Sequence, residues 1–298
     1  AKNSIAPIVI NLFTRSIEMA FAALAARILG PVGNGRYATA INIYVWFDIV
    51  ANFGLDMYLM REVARDSRRG RRILAATTQL RLVLYAVVIP VLGVFLAGRQ
   101  ALAHPLPPET IWAVVLLYVG LLPSSVANGL AALFRSCEKH EYPAAIQTIT
   151  TIIRVALGVL VLVGGTGIVG LAGASILTNL VTLAILAVLT RRLIWPMLPA
   201  EDGETGRPWA LLGSLDRLML SESWPLMASL LLQALFPGIN IFLLQGFQGD
   251  AVVGWYDAAR KWVDALNIVP SFFTFAVFPI MSRQADQDVS GLTRSYRL

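Results

Sequence analysis

The chain has 298 residues, of which 57% are hydrophobic and only 14% are charged. An ordinary soluble domain carries about 25% charged residues, so this composition excludes a typical soluble enzyme. The net charge of +6 does not indicate nucleic acid as a partner, because the cations cluster where one side of a membrane requires them. The single cysteine, Cys137, excludes an intramolecular disulfide framework and a cysteine-based zinc site.

Apolar segments of about 20 residues recur along the whole chain, and each is long enough to cross about 30 Å of hydrocarbon. Glycine- and proline-rich turns separate these segments. We therefore predict an all-α, polytopic helical bundle in the inner membrane. The eight predicted transmembrane helices cover residues 4–27, 36–60, 73–97, 111–133, 143–163, 168–190, 224–245 and 252–280.

The distribution of lysine and arginine gives the predicted orientation. With the N-terminus in the cytoplasm, sixteen of the 24 cations lie at cytoplasmic positions, whereas two, Arg36 and Arg99, lie in outer loops. Positive residues stay preferentially on the cytoplasmic side, so we predict a cytoplasmic N-terminus and name the two ends of the bundle inner and outer accordingly. The densest cluster at the inner end consists of Arg61, Arg65, Arg68, Arg69, Arg71 and Arg72.

A weak internal repeat divides the chain. The sequence GRYATA at 35–40 resembles GWYDAA at 254–259, at an offset of 219 residues. We predict a six-helix lobe over 1–190, a cytoplasmic linker over 191–222, and the start of a second, C-terminally incomplete lobe over 223–298. Transporters are often built from such repeats, with the substrate bound between them.

The linker is predicted to contain an amphipathic helix, either on the inner membrane surface or packed under the bundle. Its apolar residues at helical spacing are Trp209, Leu212, Leu215 and Met219.

Five of the predicted transmembrane helices carry polar residues three or four positions apart, which places them on one helix face. Ionisable residues are costly at membrane depth and therefore indicate a functional cavity. Arginine suits phosphate, which it binds bidentately, and carboxylates suit protons, sodium or sugar hydroxyls. The candidate cavity residues are Asn11, Arg15, Glu18, Asp48, Asn52, Gln147, Arg154, Gln233, Asn240 and Arg260.

The alternative interpretation is that these charges neutralise one another as buried ion pairs. It predicts a pair between Arg15 and Glu18, another between Asp257 and Lys261, and a third between Asp48 and an arginine of a neighbouring helix. Arg81 is expected to extend to the inner surface along its apolar stem.

Motifs for chemistry are not found. The two histidines, His104 and His140, have no metal partner at ligand spacing, and the sequence has no Walker loop for ATP. We therefore predict no catalytic residue, no metal and no cofactor.

Three segments carry a family resemblance: RILGPVGNGRYATA at 27–40, NFGLDMYLMREVARD at 52–66 and LFRSCEKHEYPAAIQTI at 133–149. They resemble polysaccharide flippases of the multidrug/oligosaccharidyl-lipid/polysaccharide (MOP) superfamily, although Val32-Gly33-Asn34 replaces the usual acidic–aromatic pair. The resemblance implies two six-helix lobes, alternating access and a polyprenyl-diphosphate-linked sugar as substrate. It also implies that Arg15, Arg154 and Arg260 contact the diphosphate or the sugar.

Two other functions stay open at this point. A cation-coupled multidrug exporter of the same superfamily would bind H⁺ or Na⁺ at Glu18 or Asp48. A membrane glycosyltransferase or polymerase would need a catalytic group in a large loop, and the outer loops are short. The expected partners are a lipid-linked sugar, membrane lipids, a coupling ion (H⁺ or Na⁺) and membrane proteins of polysaccharide assembly, but no nucleic acid.

Overall fold

The computed structural model describes residues 2–101, 105–198 and 214–266, with side chains from 13 onward in the first range and from 217 onward in the last. No strand occurs among these residues, which form helices joined by short turns. A 3₁₀ turn covers Ser67–Arg69, and a π-helix, Thr190–Ile194, extends the sixth helix. The α-helices are α1 (Lys2–Asn52), α2 (Leu55–Arg65), α3 (Gly70–Gln100), α4 (Pro108–Ser136), α5 (Glu141–Val163), α6 (Gly167–Leu189), α7 (Ser214–Gln248) and α8 (Asp250–Leu266).

Six helical stretches of the described chain are long and apolar enough to cross a membrane. In hydrocarbon every backbone polar group must be bonded within the segment, which a helix achieves by itself. The predicted all-α, multi-pass membrane fold is therefore confirmed. The first stretch, Phe13–Arg65, runs through two of the predicted spans, and part of the last predicted span, 267–280, lies outside the described residues.

The first two predicted spans are joined by a kink, not by the turn expected at 30–35. Gly30 has φ 67° and ψ 176°, a backbone conformation that only glycine adopts readily. Pro31 then starts the next helical segment, because proline has the right φ for a first helical position and its missing N–H is not needed there. Helix α1 continues from there to Asn52.

Replacing Gly30 by alanine is expected to destabilise the protein by about 2 kcal/mol through backbone strain alone. A Cβ at this position meets no atom within 4 Å, so no clash contributes. Thermal unfolding of the purified protein measures the effect. Gly93→Ala in α3 is the matched control, because a Cβ there also meets nothing within 4 Å and alanine favours a helix. Equal shifts in the two variants would contradict the role of Gly30.

Helix α4 is the centre of the bundle and packs most extensively against α6. Its buried side chains join two apolar clusters, one towards each end. The outer cluster includes Leu117 and Leu121 with Ile43, Leu92 and Ala172. The inner cluster includes Leu130 and Phe134 with Leu59, Leu74 and Leu186.

The residues after α6 agree only in part with the predicted amphipathic linker helix. Trp209 and Leu212 lie outside the described residues, and so does the side chain of Leu215. Residues 214–222 are the first turns of α7, which continues without interruption to Gln248. Met219 is buried against Leu55 and Tyr58 of α2, so this part packs inside the bundle.

The chain forms two compact units, Ala1–Asp257 and Ala258–Leu298. The described part of the second unit is the end of α8, up to Leu266. There Arg260 Nε lies 3.4 Å from Asp264 Oδ2, one turn further along the helix.

Candidate functional site

Polar side chains join α1 to α5. Glu18 forms an ion pair with Arg154, and the hydroxyl oxygens of Thr14 and Thr148 lie 3.3 Å apart. The intrahelical pair between Arg15 and Glu18 was a wrong expectation, because Glu18 turns to α5 instead. Arg15 is exposed and takes part in none of the ion pairs found among the described residues. The side chains of Arg154 and Glu18 remain 46% and 40% exposed.

Two further candidates, Asn11 and Gln147, belong to the same two helices as this ion pair. The side chain of Asn11 lies outside the described residues. Gln147 is exposed on α5, two turns before Arg154. Thr151, between them on the same predicted face, is buried, so the polar face of α5 is narrower than the spacing suggested.

A second group of polar residues lies between α1, α2, α3 and α4. Asn52 Nδ2 donates to Asp48 Oδ1 at 2.7 Å. Asp56 of α2 pairs with Arg81 of α3, and Arg81 Nη1 donates to the carbonyl oxygen of Ser125 at 2.6 Å. We name these five residues the polar layer.

Arg81 is almost fully buried, with 3% of its surface exposed, so the expectation that it extends to the inner surface is wrong. Its partner Ser125 lies on α4 between Leu121 of the outer cluster and Ala127 of the inner one. The polar layer therefore crosses the bundle near mid-depth. A Cβ on Gly129 would lie 2.5 Å from Arg81 Nη1, so a larger residue there would force the guanidinium group to shift.

Helix α7 carries two further candidates, and both are exposed. Gln233 Nε2 donates to Ser229 Oγ at 3.2 Å, and Asn240 Nδ2 donates to the Tyr256 hydroxyl at 3.3 Å. The last candidate, Arg260, belongs to the second unit, where it pairs with Asp264 as described above. The structure thus places the candidate residues in separate groups on different helices.

Sequence reasoning missed a close contact between α1 and α8. Asn34 Nδ2 donates to the carbonyl oxygen of Gly254 at 3.0 Å and lies 3.3 Å from Asp257 Oδ2. A Cβ on Gly35 would overlap the carbonyl oxygen of Asp250, and one on Gly254 would overlap that of Pro31. The two backbones therefore touch, and only glycine fits at either position.

This glycine contact is reciprocal. Pro31 and Asp250 differ by 219 positions, as do Gly35 and Gly254, and this is the offset of the sequence repeat. Each member of one pair touches a member of the other, as in a contact around a two-fold axis. The signal in the sequence was the glycine that opens both GRYATA and GWYDAA.

Two arginines assigned to outer loops have structural partners. Arg36 lies within α1, and it joins Glu109 of α4 at 2.9 Å and Asp250 of α8 at 3.1 Å. Arg99 is buried near the end of α3, where it donates to Gln245 and lies 4.4 Å from the centre of the Phe242 ring. Both residues therefore hold neighbouring helices together at the outer end.

Known structures have this fold. One is a MOP superfamily transporter from Pyrococcus furiosus, which was reported to have a binding pocket of reverse polarity. It is 18% identical to this chain with a TM-score of 0.58, and the alignment covers 97% of this chain and 67% of that transporter. A MATE protein solved in complex with MaD3S is 15% identical with a TM-score of 0.56, covering 87% of this chain and 63% of its own. The chain spans about two thirds of each. At identities this low, the structural similarity shows the shared fold alone. The protein therefore has the fold of MOP superfamily transporters.

The sequence family is established separately. The family model described as "Polysaccharide biosynthesis protein" matches residues 1–284, and the chain belongs to this family. A search of curated protein sequences gave no significant match.

Proposed function

We propose that the protein carries a polyprenyl-diphosphate-linked oligosaccharide or polysaccharide precursor across the cytoplasmic membrane by alternating access. The observation that carries this proposal is the polysaccharide-biosynthesis family match over residues 1–284. The fold of MOP transporters supports it, because that fold supplies a membrane bundle suited to translocation. No covalent bond changes in such a step, so the function needs no catalytic residue.

Arg154 and Arg15 are the proposed contacts for the diphosphate. Arg154 is half-exposed, and its only carboxylate partner among the described residues is Glu18. Phosphate oxygens accept the same charge-assisted hydrogen bonds as a carboxylate and fit the guanidinium fork equally well. In the proposed cycle the diphosphate takes the place of Glu18 at Arg154, while the exposed Arg15 supplies a second cation.

The reciprocal glycine contact is the proposed closure at the outer end. Alternating access requires two repeats that move against each other around a central binding site. Because α1 and α8 touch through two residues of each repeat copy, a rocking motion of one copy against the other, about an axis perpendicular to the one that relates them, would separate the two helices. The contact would then be closed while substrate enters from the inner side and open while it leaves.

Asp48 is the proposed site for a coupling ion, H⁺ or Na⁺. Its carboxylate lies at membrane depth and takes a hydrogen bond from the amide of Asn52, without a direct ion pair among the described residues. By contrast, the nearby Asp56 is held by Arg81. A carboxylate with an amide partner retains lone pairs for a cation or a proton.

Membrane proteins of polysaccharide assembly are the proposed partners that supply and use the lipid-linked sugar.

Complementation tests the proposal. The full-length protein is expressed in a polysaccharide-producing strain that lacks its own flippase, and surface polysaccharide is measured per amount of membrane-inserted protein. We expect Arg15→Ala and Arg154→Ala each to lower the yield about tenfold, since hydrogen bonds to charged groups contribute about 1.5–3 kcal/mol. Arg135→Ala is the matched control, because this exposed cation ends α4 at the inner surface. Normal export by both cavity variants would overturn the proposed role of the arginines.

Glu18→Gln separates substrate binding from simple pairing. This variant removes the ion pair but keeps Arg154 free to bind phosphate. We expect it to retain surface polysaccharide while Arg154→Ala loses it. Equal losses in the two variants, with both proteins inserted, would mean that the pair is needed for the structure alone.

The fold similarity to the MATE protein favours one competing function, a cation-coupled drug exporter. The same strains distinguish the two functions when they are also challenged with cationic dyes. Restored polysaccharide without dye extrusion supports the flippase. Dye extrusion that stops when the membrane potential is collapsed, without restored polysaccharide, would establish the exporter instead.

A further inference from the structure

Three of the six arginines at 61–72 line a pocket that the proposed transport does not use. The pocket has a volume of about 240 Å³ and lies where α2, the 3₁₀ turn and the start of α3 meet the beginning of α7. Its floor is apolar and includes Tyr58, Ile73 and Met219. Tyr58 and Met219 are 5% and 1% exposed, so this floor is part of the packed bundle and is well formed.

The rim of the pocket is cationic. Arg65, Arg69 and Arg72 line it, against the two carboxylates of Glu62 and Asp66. Glu62 is shared between Arg61 and Arg65, at 3.2 and 3.4 Å, and Asp66 pairs with Arg69 at 3.3 Å. Arg61 also pairs with Glu222, and the lining of the pocket itself carries three arginines against two carboxylates. The side chains of Arg65 and Arg69 are 70% and 63% exposed, so they can turn towards an anion.

The position of the pocket selects an amphiphilic anion over a soluble one. One apolar stretch ends at Arg65 and the next begins at Ser67, so the rim lies where a span leaves the hydrocarbon. On the predicted inner side this is the depth of lipid headgroups. Leu218 lines the pocket and is 48% exposed. Met57, in the first turn of α2, is 51% exposed. An anion bound at the rim would thus have apolar surface beside it for an acyl chain.

We infer that this pocket binds the headgroup of an anionic phospholipid of the cytoplasmic leaflet. The phosphate lies against Arg65, Arg69 and Arg72, and an acyl chain lies along Leu218. Basic pockets between transmembrane helices on the cytoplasmic side are suited to such headgroups. A bound lipid would connect the α2–α3 turn to the start of α7. This inference does not depend on which substrate the protein transports.

Binding is measured on the purified full-length protein in nanodiscs of phosphatidylcholine with increasing phosphatidylglycerol, by native mass spectrometry and by thermal unfolding. We expect retention of phosphatidylglycerol at least tenfold above phosphatidylcholine, because three arginines that each add up to roughly 1 kcal/mol near an anionic lipid together exceed the about 1.4 kcal/mol that a tenfold preference requires. The variant Arg65→Gln/Arg69→Gln/Arg72→Gln should reduce this preference to less than about twofold. The matched control, Arg135→Gln/Arg191→Gln/Arg192→Gln, removes three exposed inner cations outside the pocket and should keep the preference.

The outcomes separate the possible sources of the anion. An equal loss in the control variant would mean that the preference is general surface electrostatics, and it would overturn the inference. Full competition by millimolar inorganic phosphate or glycerol phosphate would identify a soluble anion and would also overturn it. If the triple variant does not insert, Leu218→Glu serves in its place, because it puts a negative charge at an exposed lining position. A lipid preference unchanged in Leu218→Glu would likewise exclude the pocket.

Discussion

Arg81→Leu is expected to destabilise the protein by about 3 kcal/mol, the low end of the range for a buried ion pair that loses one partner, because Arg81 is buried while Asp56 is 31% exposed. Asp56 would be left without its cation in the polar layer, and the carbonyl of Ser125 would lose the side-chain donor that it has in addition to its helical hydrogen bond. The position near mid-depth makes the loss of stability larger, because neither lipid nor apolar side chains can replace water around the unpaired Asp56 carboxylate. Thermal unfolding of the purified protein and its yield as a monodisperse species after detergent extraction measure the effect.

The double variant Asp56→Leu/Arg81→Leu is the decisive comparison. Replacing a buried pair by apolar side chains of similar volume is often neutral, whereas breaking it is costly. The double variant should therefore be more stable than Arg81→Leu alone. Arg135→Leu controls for the loss of an arginine as such, because this residue is exposed at the end of α4. If Arg81→Leu were no worse than this control, Arg81 would not hold the polar layer together.

The bundle itself follows from sequence alone because its cause is local. Each apolar run of about 20 residues satisfies its own backbone hydrogen bonds and needs no partner to be identified as a span. The arginine cluster between 61 and 72 likewise shows where one span ends, and the structure ends α2 at Arg65. Helix boundaries at Gly30 and at Phe53-Gly54 are harder to predict, since the chain turns there through only one or two residues with positive φ.

The spacing of residues along a helix does not predict which charged residues form ion pairs with one another. Glu18 has Arg15 one turn before it on the same helix, yet it pairs with Arg154 of α5. Arg81 was expected to extend to the inner surface along its stem, yet Asp56 and Ser125 hold it inside the bundle. Both outcomes depend on which helices pack side by side, and that arrangement is set by contacts far apart in sequence. Intrahelical periodicity identifies the polar residues but does not pair them.

Gly254→Val is expected to reduce transport about tenfold or more while the protein still inserts. The new Cβ would overlap the carbonyl oxygen of Pro31, so α1 and α8 could not approach. Overpacking of this kind costs about 1–3 kcal/mol, enough to move a two-state equilibrium about tenfold away from the closed outer contact. Gly35→Val should have the same effect, because its Cβ meets Asp250 in the reciprocal position.

A cross-link tests whether the same contact must also open. In a background in which the single cysteine is removed by Cys137→Ala, the variant Asn34→Cys/Asp257→Cys places two thiols where side-chain atoms lie 3.3 Å apart. Oxidation, or a short bifunctional reagent, should join α1 to α8 and stop surface polysaccharide export. Reduction of the disulfide should restore it, because the proposed cycle requires the two repeat copies to separate at the outer end.

Gly246→Val is the matched control for the valine variants. Gly246 also lies within an apolar helix, α7, but a Cβ there meets no atom within 4 Å. It should retain transport, which would show that a bulky residue in a membrane helix is not harmful by itself. Full transport by both Gly35→Val and Gly254→Val would contradict a closed contact in the cycle. Full transport by the cross-linked protein would instead make the contact a fixed joint, and the moving surface would then have to lie elsewhere.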